Sequence, residues 1–213
     1  MDRARVRRGE KKGGAGQGAV QEGAAKKGGF LTVSPLAPLP LLCFLALNKG
    51  PFFPCALLAA LLHELGHIAA IYLSGGRVVH IGIYPFGAQI VTGGSLLSYG
   101  QSLFVALSGA GVNLLCALPL LFRGAPPLLQ IFSVCSLGLA LFNLLPLKRL
   151  DGGEALYNLC ALTSDPDKAG RICKVFSLLG SAGLLLIALA GVSLAKFNPT
   201  LLLLTLYLLW GVF

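Results

Sequence analysis

Charge is what this sequence has least of. Only 12% of its 213 residues are Asp, Glu, Lys or Arg, against about 25% in an ordinary soluble domain. With 55% hydrophobic residues and 28 glycines, and a mean hydropathy of +0.80, too little polar surface remains for a soluble globular enzyme. The same numbers exclude a wholly disordered chain. Acids are scarcest, eight against 17 basic residues. Asp2, Glu10 and Glu22 lie in the first 29 residues, so the rest of the chain holds just Glu64, Asp151, Glu154, Asp165 and Asp167. Paired cysteine spacing is lacking too. Cys43, Cys55, Cys116, Cys135, Cys160 and Cys173 form no C-x-x-C, fall mostly in apolar stretches, and read as small buried hydrophobes rather than disulfide partners.

What is present is organised by hydrophobicity. Residues 1–29 are rich in Gly, Lys and Arg and read as a disordered basic tail suited to anionic lipid. No aromatic platform or folded motif accompanies that charge, so nucleic-acid binding is not expected. From residue 30 onward, apolar blocks cover approximately 30–47, 51–74, 99–122, 127–147, 175–195 and 199–213. A helix needs roughly 20 apolar residues to cross a bilayer core. The expected fold class is therefore an all-α polytopic membrane protein of about six transmembrane helices, with residues 30–213 as the membrane domain. Pro35, Pro38 and Pro40 weaken the first block, and the last is short. Placing the tail in the cytoplasm puts fourteen Lys and Arg on that side and only Lys49, Arg123 and Lys196 on the other. Positive residues favour the inside, so the N-terminus is expected to be cytoplasmic.

Within the second block stands His63-Glu64-Leu65-Gly66-His67. On a helix, residues four apart share a face, so both imidazoles can bind one Zn²⁺, with Glu64 beside them to act on a water. Two histidines and a glutamate in hydrocarbon are costly unless they serve such a purpose. The competing reading is a pair of packing histidines beside a neutralised Glu64. Catalytic zinc sites usually have three protein ligands, and Leu73 occupies the place where an extended metzincin motif would put a third histidine. His80 reads as a surface or loop histidine. Asp165 before Pro166 looks like a helix N-cap with proline at the first helical position, and Asp167 then lies in the first turn. Asp151 and Glu154 remain. Asp151 follows an apolar run and precedes Gly152-Gly153, which permit a tight turn, and it is the favoured third ligand. Glu154 reads as a helix-start acid.

With these residues identified, the chain resembles the site-2 protease family of intramembrane zinc metalloproteases, and within it the stage IV sporulation protein FB-type bacterial branch. The segment Asn143-Leu144-Leu145-Pro146 through Leu150-Asp151-Gly152-Gly153 is similar to that family's N-x-x-P-x-x-x-x-D-G-G stretch, which carries the aspartate ligand. Ile83-Tyr84-Pro85-Phe86-Gly87 is similar to its short membrane-associated β-hairpin. Ser108-Gly109-Ala110-Gly111-Val112-Asn113 is a weaker match to an A-G-P-x-x-N helix, with Ala110 in place of the proline. Lys148 and Arg149 stand where prolines are often found. Without the resemblance, Ser108, Gly109 and Gly111 read as close helix-packing residues, and Asn113 and Asn143 as makers of interhelical hydrogen bonds.

The resemblance implies peptide-bond hydrolysis by a metalloendopeptidase. His63, His67 and Asp151 would hold Zn²⁺, Glu64 would serve as general base and then acid, and Asn143 would lie near the scissile peptide. The hairpin across residues 80–93 would offer an edge strand to a locally unwound substrate. It further implies a membrane-tethered protein substrate, such as a transcription-factor precursor, a membrane inhibitor or regulator, a role in sporulation, and residence in the bacterial cytoplasmic membrane with the active site toward the cytoplasm. Two other functions share the zinc ligands: a membrane metallohydrolase acting on lipid amides, and a non-catalytic zinc carrier.

Overall fold

The computed structural model of the chain describes residues 31–35, 50–84, 87–93, 97–122, 124–193 and 205–206. The basic tail, most of the first apolar block and nearly all of the last lie outside these residues. The described part begins with β1 (Leu31–Val33), α1 (Phe52–Leu73), β2 (Arg77–Tyr84) and β3 (Gly87–Gly93). It continues with α2 (Tyr99–Ala117), a 3₁₀ turn at Leu118–Leu121, α3 (Pro127–Asn143), α4 (Asp151–Thr163) and α5 (Pro166–Ser193). Strands and helices fall into two compact units, one built around the sheet and one around the helices.

Local chemistry sets the ends of these helices. Past Leu73, Gly75 has a φ of +79°, a conformation that costs a residue without Cβ little. Gly75 N–H donates to the Tyr72 carbonyl at 3.0 Å and Gly76 N–H to Ile71 at 2.9 Å, the paired bonds of a Schellman stop. α2 opens with a capping box: Gln101 N–H donates to Ser98 Oγ at 3.3 Å, and Ser98 N–H donates to Gln101 Oε1 at 2.9 Å. α3 begins at Pro127, where a missing N–H costs nothing, and ends at Asn143, just before Pro146. α5 starts as its sequence implied, with Asp165 Oδ1 accepting from Asp167 N–H at 3.0 Å ahead of the helix.

Three helical stretches, Phe52–Leu73, Tyr99–Leu121 and Pro166–Ala190, are long and apolar enough to cross a membrane, and Pro127–Asn143 is a shorter apolar helix. Leu58, Leu61, Leu65 and Leu73 are exposed on α1, on faces that water would penalise and lipid accepts. These features support an integral membrane protein. Six spans were expected, and these three stretches are the ones among the described residues that meet the requirement.

The sheet departs from the expected hairpin. β2 and β3 pair antiparallel, with an irregularity between Val78 and His80, and β1 adds a parallel third strand, Leu31 opposite Ile81 and Val33 opposite Ile83. The apolar block starting at residue 30 therefore opens as a strand rather than a membrane helix. Thr32 and Val33 are β-branched, and a proline follows closely at position 35, so extended backbone wins locally.

In the helical unit, α2 is central and packs on both α3 and α4. Its buried residues are Ala106, Gly109, Ala110, Asn113 and Ala117, a small-residue stripe three and four apart that brings other backbones near. Ser133 Oγ on α3 donates to the Cys116 carbonyl of α2 at 3.0 Å. α5 braces the loop between α3 and α4, where Lys148 N–H donates to Ser177 Oγ at 2.7 Å and Leu147 is almost wholly buried. That loop delivers Asp151.

Candidate metal centre

The centre is built where α1, α2 and the start of α4 meet. His63 and His67, one turn apart on α1, stand edge to face with ring centroids 4.8 Å apart. α4 begins at Asp151 because the chain turns back after Pro146. The turn is tight: a Cβ at Gly152 would strike the Leu144 carbonyl, and one at Gly153 would strike that of Leu147. Asp151 thereby comes to His63 and His67, and their ligand atoms all lie within 4.8 Å of one another.

The three ligand atoms are close enough to share one ion. Asp151 Oδ2 is 2.8 Å from His63 Nε2 and 3.3 Å from His67 Nε2, and the two Nε2 atoms are 3.2 Å apart. Ligands bonded to a tetrahedral zinc at 2.0–2.2 Å stand about 3.3–3.6 Å from one another, so the two pairs that include His67 are near that spacing and the His63–Asp151 pair is closer. Asp151 Oδ2 is also buried without a well-aligned hydrogen-bond donor. A buried anionic oxygen facing two imidazole nitrogens, yet hydrogen-bonded properly to neither, is what a shared cation satisfies. Two nitrogens and one carboxylate oxygen are also a ligand set that zinc accepts. Burial works against the Asp151 charge, but the contacts with the two imidazoles outweigh it and hold the carboxyl below its ordinary value.

A second layer orients the imidazoles. His67 Nδ1 lies 2.8 Å from the Val105 carbonyl of α2, and since a carbonyl can only accept, Nδ1 carries a proton and, in the neutral ring, Nε2 is left as a lone pair. Ser108 Oγ donates to the same carbonyl at 2.6 Å and lies 3.5 Å from His67 Nδ1. Asn113 Nδ2 lies 3.3 Å from His63 Nδ1. Gly109 leaves room for both rings: an added Cβ would collide with His67 and lie 2.9 Å from His63 Cε1.

Glu64, next to the first histidine, is half-buried and within electrostatic reach of His67, His63 and Asp151. Asn143, the last residue of α3, is not part of the cluster. Its Nδ2 donates to the Leu139 carbonyl of its own helix at 3.1 Å. Glu154 lies in the first turn of α4, as its sequence position suggested, and outside the group of three. His80, placed in a loop by its sequence, instead lies within the strand β2 of the sheet unit, where it pairs with β3. Sequence reasoning read Ser108 and Gly109 as close helix-packing residues and Asn113 as a maker of an interhelical hydrogen bond; the structure agrees, and shows that the partners on α1 are the histidines themselves. The available signal was a polar Asn four residues after a glycine, in the apolar second half of α2.

Neither a family profile nor a curated protein matches the sequence. Among solved structures, the chain is similar to the site-2 protease from Methanocaldococcus jannaschii, with a TM-score of 0.63 and 23% identity over 85% of this chain and 88% of that one. The chain thus has the fold of a site-2 protease.

Proposed function

We propose that this protein is an intramembrane zinc metalloprotease that hydrolyses a peptide bond in or beside the membrane segment of a membrane-tethered protein. The observation that carries this reading is the convergence of His63, His67 and Asp151 next to Glu64, in a chain with membrane-length apolar helices and a site-2 protease fold.

His63, His67 and Asp151 would hold the metal. Zinc, when bound, supplies Lewis acidity that lowers the pKa of water from 15.7 toward about 7. Glu64 takes the water proton as the nucleophile attacks the peptide carbonyl, then returns it to the departing amine. A carboxylate in this position performs both transfers without a second acid. Asn143, at the end of α3, donates to the carbonyl oxygen as negative charge develops there. A helical substrate hides its carbonyls in its own hydrogen bonds, so it unwinds before cleavage. β3, an edge strand in the order β1-β2-β3, offers ladder bonds in exchange.

The substrate class we favour is a membrane-tethered transcription-factor precursor, with a membrane protein as inhibitor or regulator. The setting we favour is the bacterial cytoplasmic membrane, with the N-terminus and active site toward the cytoplasm and a role in sporulation like that of the stage IV FB-type branch. A zinc carrier would have no use for a general base beside its ligands.

The test uses full-length protein in lipid nanodiscs with a membrane-tethered peptide reporter and, separately, a fluorescent lipid amide. Zinc-dependent cleavage of the peptide alone supports the proposal. Cleavage of the lipid amide alone replaces it with a lipid hydrolase, and zinc binding with neither cleavage replaces it with a carrier.

A further inference from the structure

Asn113 is fully buried on α2, and its side chain meets His63 at Nδ1, with Nδ2 at 3.3 Å. Its Oδ1 is buried too and has no partner. An amide exchanges its oxygen and nitrogen by a half-turn about one bond, and the hydrogen-bond partner decides which end faces inward.

Proton placement on His63 sets that choice. An imidazole that gives its Nε2 lone pair to a cation carries its proton on Nδ1 and needs an acceptor there. For His67 the acceptor is the Val105 carbonyl. For His63 the group at Nδ1 is the Asn113 amide. With its nitrogen facing His63, Nδ1 accepts and the proton sits on Nε2, where the His67 Nε2 lone pair is 3.2 Å away. With its oxygen facing His63, Nδ1–H donates and the Nε2 lone pair is free for a metal.

We infer that Asn113 is a positioning residue of the metal centre, whose amide oxygen accepts the His63 Nδ1 proton and so leaves the His63 Nε2 lone pair for a zinc ion. Turned with its oxygen to His63, the amide pairs the oxygen atom that is otherwise buried without a partner. Aspartate can only accept and therefore suits the zinc-bound state. Leucine, of similar size, can do neither. This inference rests on the reading of His63, His67 and Asp151 as a zinc site.

Zinc affinity provides a test that does not depend on cleavage. Full-length wild type, Asn113→Leu and Asn113→Asp in detergent micelles are titrated with Zn²⁺ against a chelating dye. Asn113→Leu is expected to bind roughly 10–100-fold more weakly, the usual loss on removing a partner of a liganding histidine, while Asn113→Asp keeps wild-type affinity. Nitrogen-15 spectra of zinc-loaded wild type should show His63 protonated at Nδ1 and metal-bound at Nε2. Wild-type affinity in Asn113→Leu, or a His63 bound to zinc through Nδ1, overturns the inference. Should Asn113→Leu fail to fold, the wild-type spectrum decides by itself. A wild type that binds no zinc overturns the metal-site reading as well, whereas the other contrary results leave that reading standing.

Discussion

Gly109 on α2 lies against the ring of His67 on α1 so closely that a single added methyl would collide with the imidazole. Close packing of two backbones and orientation of a ligand are here one requirement. Gly66 on α1 faces the same region, where a Cβ would come within 2.9 Å of the Ser108 carbonyl and 3.1 Å of Gly109 Cα. The helix carrying the histidines is therefore seated on α2 by glycines from both sides.

Gly109→Ala should displace His67 and reduce bound zinc, with an overpacking cost of about 1–3 kcal/mol. Gly111→Ala, where an added Cβ meets nothing within 4 Å, should leave zinc content unchanged. Elemental analysis of the two purified variants makes the comparison. Equal zinc in both would mean that the approach of α2 does not position His67.

Asp151→Asn should bring zinc content close to background while the helices remain folded. The variant keeps the shape of the side chain but loses the negative charge that faces His63 and His67. Circular dichroism reports the folding and elemental analysis the metal. Undiminished zinc would remove Asp151 from the ligand set.

Much of this centre was legible in the sequence for reasons of geometry and cost. The pairing of His63 with His67 needs only one helical turn, which is local. Asp151 stood out because so few acids occur in the apolar part of the chain and because Gly152-Gly153 marks a tight turn. Asn113 and Gly109 were harder to read. Their roles depend on which helix packs on which, and a glycine beneath an imidazole looks in sequence like any other helix-packing glycine. The parallel pairing of β1 with β2 joins segments separated by a long helix, and no local pattern announces such a contact.

Ser177→Ala should loosen the loop that delivers Asp151. The Lys148 N–H loses its acceptor at 2.7 Å, and an unpaired, partly buried donor costs about 1–3 kcal/mol. Thermal unfolding in detergent should fall accordingly, and zinc should dissociate faster on addition of a chelator. Ser177→Thr, which retains the hydroxyl, should restore part of both. An alanine variant with wild-type zinc release would show that α5 does not hold the Asp151 loop.

Glu64→Gln tests the central claim most directly, because it separates metal binding from proton transfer. Wild type and variant are reconstituted side by side with a membrane-tethered peptide reporter, and zinc content and cleavage are measured on the same samples. Zinc should remain at the wild-type level, since Glu64 is not one of the three ligands. Cleavage should fall by about 10²–10⁴-fold, the usual contribution of a positioned general base. Cleavage at the wild-type rate with zinc retained would contradict the assignment of Glu64 and the protease mechanism built on it.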